Sequence, residues 1–491
     1  MRGLLRGAAA GVLSAGLGVA VAEFFAAAAR PGAGPLVAVG GAVIDATPTA
    51  VKEFAVRQLG THDKPVLLAS VGLVLALLAA LIGVLGQRRR VLVAAGAAVL
   101  GVAGAAAALS RPAGTLLDAG PSLLAATIAG VTLWWLLGRA AAAAGPSSGR
   151  RAFLRGAVLV AGAAVLAEGG AQLVRRTVGR VRTDLRLPAP ASAAKPSDPG
   201  LTTPAREFYR VDTALTVPRI DPGGWSLRVH GMVGRELRLT LDDLLRRPLI
   251  ERDITLNCVS NEVGGPYIGT ARWLGVPLGP LLREVGLLAG ADQIVARSAE
   301  GMTIGTPVAT ALDGRDTMLA VAMNGAPLLP EHGFPVRMLT PGLYGYAGAC
   351  KWVSELELTT FAAFDAYWVE RGWARAGTVR TASRIDKPRP FARLAAGTVT
   401  VAGVAWAQRR GITKVEVSVD GGPWQEAELL PAPSVDTWVQ WRYRWRAPSG
   451  PHSLAVRAVD GDGAVQTRDR ATPFPSGATG WHTITVTVTP A

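Results

Sequence analysis

TLNCVSN (Thr255–Asn261) is the stretch on which the reading of this chain turns. It closes a strand-like run, DITLN, and opens a polar loop, with one cysteine, Cys258, at the transition. Downstream lie a basic run, HGFPVR (His332–Arg337), then PGLYGY (Pro341–Tyr346) and KW (Lys351, Trp352). A soft thiolate suits a soft metal. Permanent cations and glycine-opened backbone suit a phosphorylated organic group. Together they predict a domain that docks a metal-bearing cofactor through one sulfur.

The surroundings of that cysteine set the fold class. WSLRVHG (Trp225–Gly231) alternates as a strand, and LTLDDLLRR (Leu239–Arg247) reads as a short helix opened by Thr240. VPLGPLLREVGL (Val276–Leu287) is a second helix, ADQIVARSAEG and FPVRMLTPG are strand-like, and KWVSELELTT (Lys351–Thr360) closes the unit. This mixed order predicts an α+β domain over 206–384 rather than alternating βα units. No GxGxxG follows a strand, so a dinucleotide site has no support. From about 385 the chain turns to short alternating strands with Gly or Asp-Gly turns, among them ITKVEVSVDGG, WVQWRYRWRA and WHTITVTVTP. Residues 385–491 therefore read as a β-sandwich of immunoglobulin type without its disulfide. Its tryptophans, Trp406, Trp424, Trp438, Trp441 and Trp445, read as packing.

Upstream, residues 183–205 are rich in Pro, Ala and Ser and read as a semi-extended tether. Residues 1–182 read as an α-helical transmembrane bundle. Stretches 4–29, 66–86, 91–109, 121–138 and 152–173 are apolar and long enough to span hydrocarbon. Arg2 and Arg6, Arg88–Arg90, and Arg139 with Arg150 and Arg151 all fall on one side of five spans. That side is cytoplasmic by the positive-inside rule, which places everything beyond the last span outside a bacterial cell membrane. Residues 35–60 carry Asp45, Pro48, Lys52, Glu53 and Arg57 and read as an interfacial or re-entrant segment. GRRAFLR (Gly149–Arg155), before the last span, resembles a twin-arginine export signal. The only histidine of this region is His62, so no haem is expected between these helices. A transporter is disfavoured by the apparent lack of paired charges inside the spans.

The net charge of +15 would suit nucleic acid, but the arginines crowd at the ends of apolar stretches and no nucleic-acid signature is present, so nucleic acid is not expected. Two cysteines, Cys258 and Cys350, are too few for a disulfide framework, and Cys350 alone reads as a buried thiol.

FYR (Phe208–Arg210), TLNCVSN, ARWLGVPL (Ala271–Leu278), MNGAPLLPEHGFPVR (Met323–Arg337), PGLYGY and KW occur in this order over more than half the chain. Taken together, residues 208–485 resemble the sulfite oxidase family. The resemblance implies a molybdopterin-binding domain followed by an immunoglobulin-like dimerisation domain, and hence a possible homodimer. By position it implies that Cys258 ligates molybdenum beside the pterin dithiolene. His332 and Arg337 would contact the pterin and its phosphate, and Ala349, Cys350 and Lys351 would form the loop closing on that phosphate. Tyr209, Arg210 and Ser298 would lie at the cofactor pocket, with Asp212 and Asn261 as neighbours and Tyr344 as a catalytic candidate.

Two departures bear on the substrate. The first motif reads FYRVDT, without the family's Arg-Asn-His, and Glu262 and Val263 follow where an arginine pair is usual. Cations suit an anionic substrate and a carboxylate does not. The expected activity is two-electron oxygen-atom transfer on a small molecule, with electrons exchanged with a separate protein. A reductase of sulfoxides or N-oxides, and a scaffold that kept the fold without turnover, stay open as alternatives.

Overall fold

The computed structural model describes residues 2–141, 146–177, 185–198 and 200–490, so the expected boundary at 182 and 183 lies outside the described residues. The chain divides into two units, Met1–Val181 with Thr213–Arg219, and Arg182–Asp212 with Ile220–Ala491.

The first unit is helical: α1 (Arg2–Ala29), α2 (Pro35–Ala46), α3 (Thr49–Leu59), α4 (Asp63–Gly86), α5 (Val91–Leu109), α6 (Gly120–Ala141) and α7 (Pro146–Thr177). Among the described residues, five segments are long and apolar enough to cross a membrane: Gly3–Ala29, Asp63–Gly86, Val91–Leu109, Leu116–Arg139 and Gly149–Arg175. Residues 35–60 form the two short helices α2 and α3 and add no sixth span. Backbones approach closely where side chains are absent: a Cβ on Gly11 or Gly83 would collide with the backbone of the facing helix. Leu73, Leu77, Val99, Val102, Val165 and Leu166 are exposed, a surface suited to an apolar surrounding.

One expectation is corrected here. Arg175 of α7 pairs with Glu23 of α1 at 3.0 Å and with Glu168 at 3.4 Å, so the helices do carry paired charges. The argument from missing charge pairs against a transporter therefore lapses. Partners 152 positions apart leave no periodic signal in a sequence.

In the second unit the first ten strands are β1 (Ser226–Gly231), β2 (Leu237–Thr240), β3 (Ile250–Asn257), β4 (Ile268–Pro277), β5 (Gln293–Ser298), β6 (Thr303–Pro307), β7 (Met318–Met323), β8 (Ala326–Pro327), β9 (Arg337–Leu339) and β10 (Val353–Thr359). They build one sheet in the order β2-β1-β10-β5-β6 and a second in the order β3-β4-β7-β8, with β9 also on β7. Short helices intervene: α8 (Leu241–Leu245), α9 (Leu278–Val285), α10 (Val308–Leu312) and α11 (Gly345–Gly348). Thr240 caps α8 as its sequence predicts: its Oγ1 accepts from the Asp243 N–H at 3.2 Å, and Asp243 Oδ2 accepts the Thr240 N–H at 3.0 Å. Apolar side chains of both sheets and of α9, including Leu227, Leu281, Val321 and Leu356, share one core. This is the expected α+β arrangement.

The remaining strands are β11 (Ala382–Lys387), β12 (Arg393–Ala395), β13 (Gly397–Trp406), β14 (Ile412–Val419), β15 (Gln425–Glu426), β16 (Glu428–Leu429), β17 (Val439–Ala447), β18 (Gly450–Asp460) and β19 (His482–Thr489). They form two sheets, β11-β13-β17-β16 and β12-β19-β18-β14-β15, around a common core that includes Val401, Val417, Trp441 and Val486. Along β17, Trp441 and Trp445 point inward and Arg442, Arg444 and Arg446 outward, the period of a half-buried strand.

Of the expected tether, residues 185–198 and 200–205 form no helix and no ladder strand, but they are docked rather than free. Ser192 bridges Ile250, Thr203 N–H bonds Thr270 O at 2.7 Å, and Leu201 is buried with its carbonyl accepting from Trp438 Nε1 at 3.0 Å. The sandwich in turn braces β3: Trp438 N–H donates to Thr255 Oγ1 at 2.7 Å, and Gln408 Nε2 to Thr255 O at 3.2 Å. Three segments remote in sequence thus fix the strand that delivers Cys258.

Candidate functional site

Cys258 is the first residue beyond β3 and its thiol is buried. Its N–H donates to Tyr267 O at 2.9 Å, and its carbonyl accepts from Asn261 N–H at 3.1 Å. Asn261 closes the loop by accepting the Tyr267 N–H on Oδ1 at 2.8 Å. Burial pushes the Cys258 thiol up, opposed by hydrogen bonding from Ser260 and by the positive charge of Lys351. A buried thiol of this kind ionises when a metal replaces its proton.

Around it stands an aromatic and cationic wall. Phe208 stacks on Tyr209 with ring centroids 5.1 Å apart and meets the edges of Trp273 and His332, both at 5.8 Å. His332 is nearly fully buried, and its Nε2 lies 2.6 Å from Ala205 O, so Nε2 carries the proton. Burial holds this imidazole down to about 4, hence neutral, and its Nδ1 lone pair is buried without a partner. Arg337 is 5% exposed, lies over the Trp273 ring at 5.0 Å and donates from Nη1 to His332 O at 3.2 Å. Its Nε has no acceptor, and no carboxylate pairs with it among the described residues. Burial pulls it down to about 10.

Lys351 closes the other side, donating to Asp212 at 2.7 Å and to Glu331 O at 3.0 Å, and burial pulls it down to about 8. Asp212 also accepts from Arg210 at 2.9 Å, so it tethers two cations while leaving the pair with net positive charge. Burial raises the Tyr209 hydroxyl, the charge of Cys258 adds to that, and the Arg337 guanidinium opposes it.

Do these residues fit a molybdopterin group? A cation that is buried and lacks a counter-charge is costly. Its unpaired Nε and the bare His332 Nδ1 are an anion-binding donor and a neutral acceptor with nothing to bind in the protein. A phosphate and a pterin N–H are the groups that would satisfy them, so the donor set fits.

The other predicted residues take different places. Ser298 Oγ accepts from Glu300 N–H at 3.3 Å and Met302 N–H at 3.0 Å, making the turn between β5 and β6. Ala299 N–H bonds Trp352 O at 2.8 Å, so that turn abuts the Lys351 loop. Cys350 is fully enclosed, with its thiol toward Ala296 O and burial raising it to about 12; only its backbone is available to the loop that it shares with Ala349. Tyr344 is buried at the junction with the sandwich, where its Oη accepts from Arg380 N–H at 3.3 Å.

Sequence reading missed Trp273, the platform under Arg337, and Gly333. Gly333 adopts φ +106°, and a Cβ there would sit 3.1 Å from Lys351 Cα and Arg337 Cβ. Gly333→Ala is therefore expected to lose about 1–3 kcal/mol, seen as a lowered thermal midpoint together with reduced cofactor content. A further cavity, about 360 Å³ of empty space partly open to solvent, is lined by Asn257, Asn261, Glu262 and Tyr344 on one wall and by Ser383, Trp406 and Gln466 of the sandwich region on the other. Trp406 was read as packing only; nothing in its local sequence distinguishes it from its neighbours in the sandwich.

Comparison with known proteins agrees with this chemistry. The family model described as the oxidoreductase molybdopterin binding domain matches residues 214–368. Mitochondrial sulfite oxidase of Mus musculus is 31% identical over 346 residues, 59% of this chain and 62% of that protein. Sulfite oxidase of Gallus gallus is 30% identical over 308 residues, 53% of this chain and 67% of that protein. The chain thus spans somewhat under two thirds of the length of the mouse relative. The crystal structure of the sulfane dehydrogenase SoxCD from Paracoccus pantotrophus aligns at 27% identity over 54% of this chain and 75% of that chain, with a TM-score of 0.49.

Proposed function

The chain belongs to the sulfite oxidase family of molybdopterin-dependent oxidoreductases, and from that premise we propose that it transfers an oxygen atom to or from a small substrate at a cofactor held by Cys258. When bound, the molybdenum cofactor supplies the two-electron redox centre. In the oxidising direction, substrate and water give the oxidised substrate, two protons and two electrons, and the electrons pass to a separate carrier protein.

The residues divide the work. Cys258 supplies a sulfur ligand, and the Asn261 hydrogen bond holds its loop. His332 Nδ1 accepts from the pterin, Arg337 and Lys351 take the phosphate, and Asp212 positions Lys351 and Arg210. Tyr209 walls the pocket beside Cys258, Ser298 braces the loop of Ala349 to Lys351, and Tyr344, the catalytic candidate, lines the neighbouring cavity with Asn261. The observation that carries this reading is the buried, carboxylate-free guanidinium of Arg337 beside the bare Nδ1 of His332. Purified full-length protein should contain about one molybdenum per chain and release a pterin on denaturation. Folded protein free of both would favour the scaffold.

We further assign the sandwich to the immunoglobulin-like class, as a surface through which two chains pair. The five apolar helices anchor the chain in a bacterial membrane, with the second unit outside the cell. Positive flanks on one side of five spans support that orientation. GRRAFLR, helical within α7, serves as the twin-arginine signal for export of the folded, cofactor-loaded unit. A reporter fused after Ala491 should then be active outside the cell, and Arg150→Lys with Arg151→Lys should abolish that activity. Reporter activity on the cytoplasmic side would overturn the topology.

A further inference from the structure

Resting on the reading that the five apolar helices cross a bilayer, we infer that α5, α6 and the turn before α5 form a binding site for the headgroup of an anionic phospholipid. Arg90 and Arg139 take the phosphate, and Trp134 and Trp135 hold the two arginines in place.

The site lies at one end of the helical unit. A Cβ on Gly83 of α4 would meet the backbone of Gly7 on α1, and Gln87 Nε2 donates to Gly3 O at 2.9 Å, so the end of α4 packs on the start of α1. Arg90 Nη1 donates to Trp134 O at 2.8 Å, which ties the turn between α4 and α5 to the end of α6. Beneath the two tryptophans, Val93, Leu133, Leu137 and Phe153 share a buried cluster, so α5, α6 and α7 form a packed base.

Charge at this end has one sign. Arg88, Arg89 and Arg139 are exposed, Arg90 is half-buried, and no Asp or Glu occurs in residues 81–93 or 131–141. None of the four arginines pairs with a carboxylate among the described residues. The carboxylates of the same helices stand toward the other end: Asp63 opens α4, Glu23 lies late in α1 and Asp118 just before α6. Glu23 and Asp118 are moreover paired with Arg175 at 3.0 Å and Arg30 at 2.7 Å.

Two of the cations are held by aromatic rings. Arg90 lies 5.4 Å from the ring centroid of Trp134, and Arg139 lies 4.5 Å from that of Trp135. An indole face steadies a cation without cancelling its charge. Gly138 keeps the α6 side of Arg90 clear, since a Cβ there would already sit 3.7 Å from Nη1. Both tryptophans are exposed, so a ligand can reach the pairs. Guanidinium N–H groups match the oxygens of a phosphate.

The surface beside these cations is apolar. Leu85, Val91 and Val131 are exposed within about a turn of Arg88, Arg90 and Trp135. A ligand that satisfies both parts carries an anionic head on an apolar chain. Free phosphate would leave the apolar wall uncovered, and a zwitterionic lipid would bring its own cation against the arginines.

The test is native mass spectrometry of the detergent-solubilised full-length chain, titrated with phosphatidylglycerol and with phosphatidylcholine of the same acyl chains. Phosphatidylglycerol should saturate at one site per chain and bind at least about tenfold more tightly, since each arginine near an anionic headgroup contributes about fivefold. Arg90→Gln with Arg139→Gln should remove that preference and leave phosphatidylcholine binding unchanged. Arg444→Gln with Arg446→Gln, which takes the same charge from β17, should keep it. If the first pair does not fold, Arg139→Gln alone decides, because this side chain contacts only the Trp135 ring among the described residues; the preference should fall about fivefold. Equal affinity for the two lipids, binding without saturation, or a preference indifferent to the arginines overturns the inference. Inorganic phosphate binding as tightly as phosphatidylglycerol would overturn the lipid assignment. Release of the chain from membranes by alkaline washing would refute the spanning reading, and the lipid site with it; a chain that stays but does not discriminate sinks the lipid site alone.

Discussion

Replacing Cys258 by serine is expected to remove bound molybdenum and turnover together while leaving the fold intact. The thiol stands at the end of β3, in a loop held by backbone bonds to Tyr267 and by Asn261 Oδ1, and none of these bonds uses the sulfur. Serine is smaller and equally compatible with the backbone, so the loop should persist. What disappears is the soft ligand. The loss should exceed the roughly 10- to 100-fold that follows removal of a metal's outer partners, because here the ligand itself is removed. Metal analysis and steady-state rates on the same preparation check it. Full metal content with undiminished rates in Cys258→Ser would refute the assignment.

Arg337→Met should produce the second largest effect, with an unusual division between loaded and empty protein. A hydrogen bond to a charged group contributes about 1.5–3 kcal/mol. Loss of a charge-assisted contact from the unpartnered Nε to a phosphate therefore predicts cofactor retention falling by about 10- to 100-fold. In the cofactor-free protein the same change removes a buried cation without a carboxylate partner, and replaces it by an apolar side chain of similar length over Trp273. The thermal midpoint of the empty protein should accordingly stay level or rise. A purely structural arginine would give the opposite: a lower midpoint in the empty protein and normal retention.

Much of this architecture was legible because its signals are local. The five spans are runs of apolar residues, the Thr240 cap is a four-residue pattern, and β17 alternates residue by residue. Strand β7 is different: all six of its residues are buried, so MLAVAM carries no period and could be helix or strand. The parallel pairing of β1 with β10, Arg228 opposite Glu355, joins segments with most of the domain between them. No window of sequence contains such a partner.

The site follows the same division. Cys258, His332, Arg337 and Lys351 stood out by residue type within motifs. Trp273 as a platform and Asp212 as the clamp between Arg210 and Lys351 emerged only when β4 and the 206–212 segment were brought against the basic loops. Cys350 shows the limit from the other side: it adjoins the motif in sequence, yet its side chain belongs to the core. The docked segment, 185–198 and 200–205, reads as a tether by composition, because its anchors are backbone bonds, two serine hydroxyls (Ser192 and Ser197) and three scattered leucines, Leu185, Leu187 and Leu201, which form no periodic pattern.

The account depends on a bond between one protein sulfur and molybdenum. X-ray absorption at the molybdenum edge of the purified chain would count the sulfur neighbours directly. Three sulfur scatterers in the unmutated protein, falling to two in any metal retained by Cys258→Ser, are the predicted result. A sulfur count that does not change on substitution would show that the metal is held without this side chain, and would contradict the account at its base.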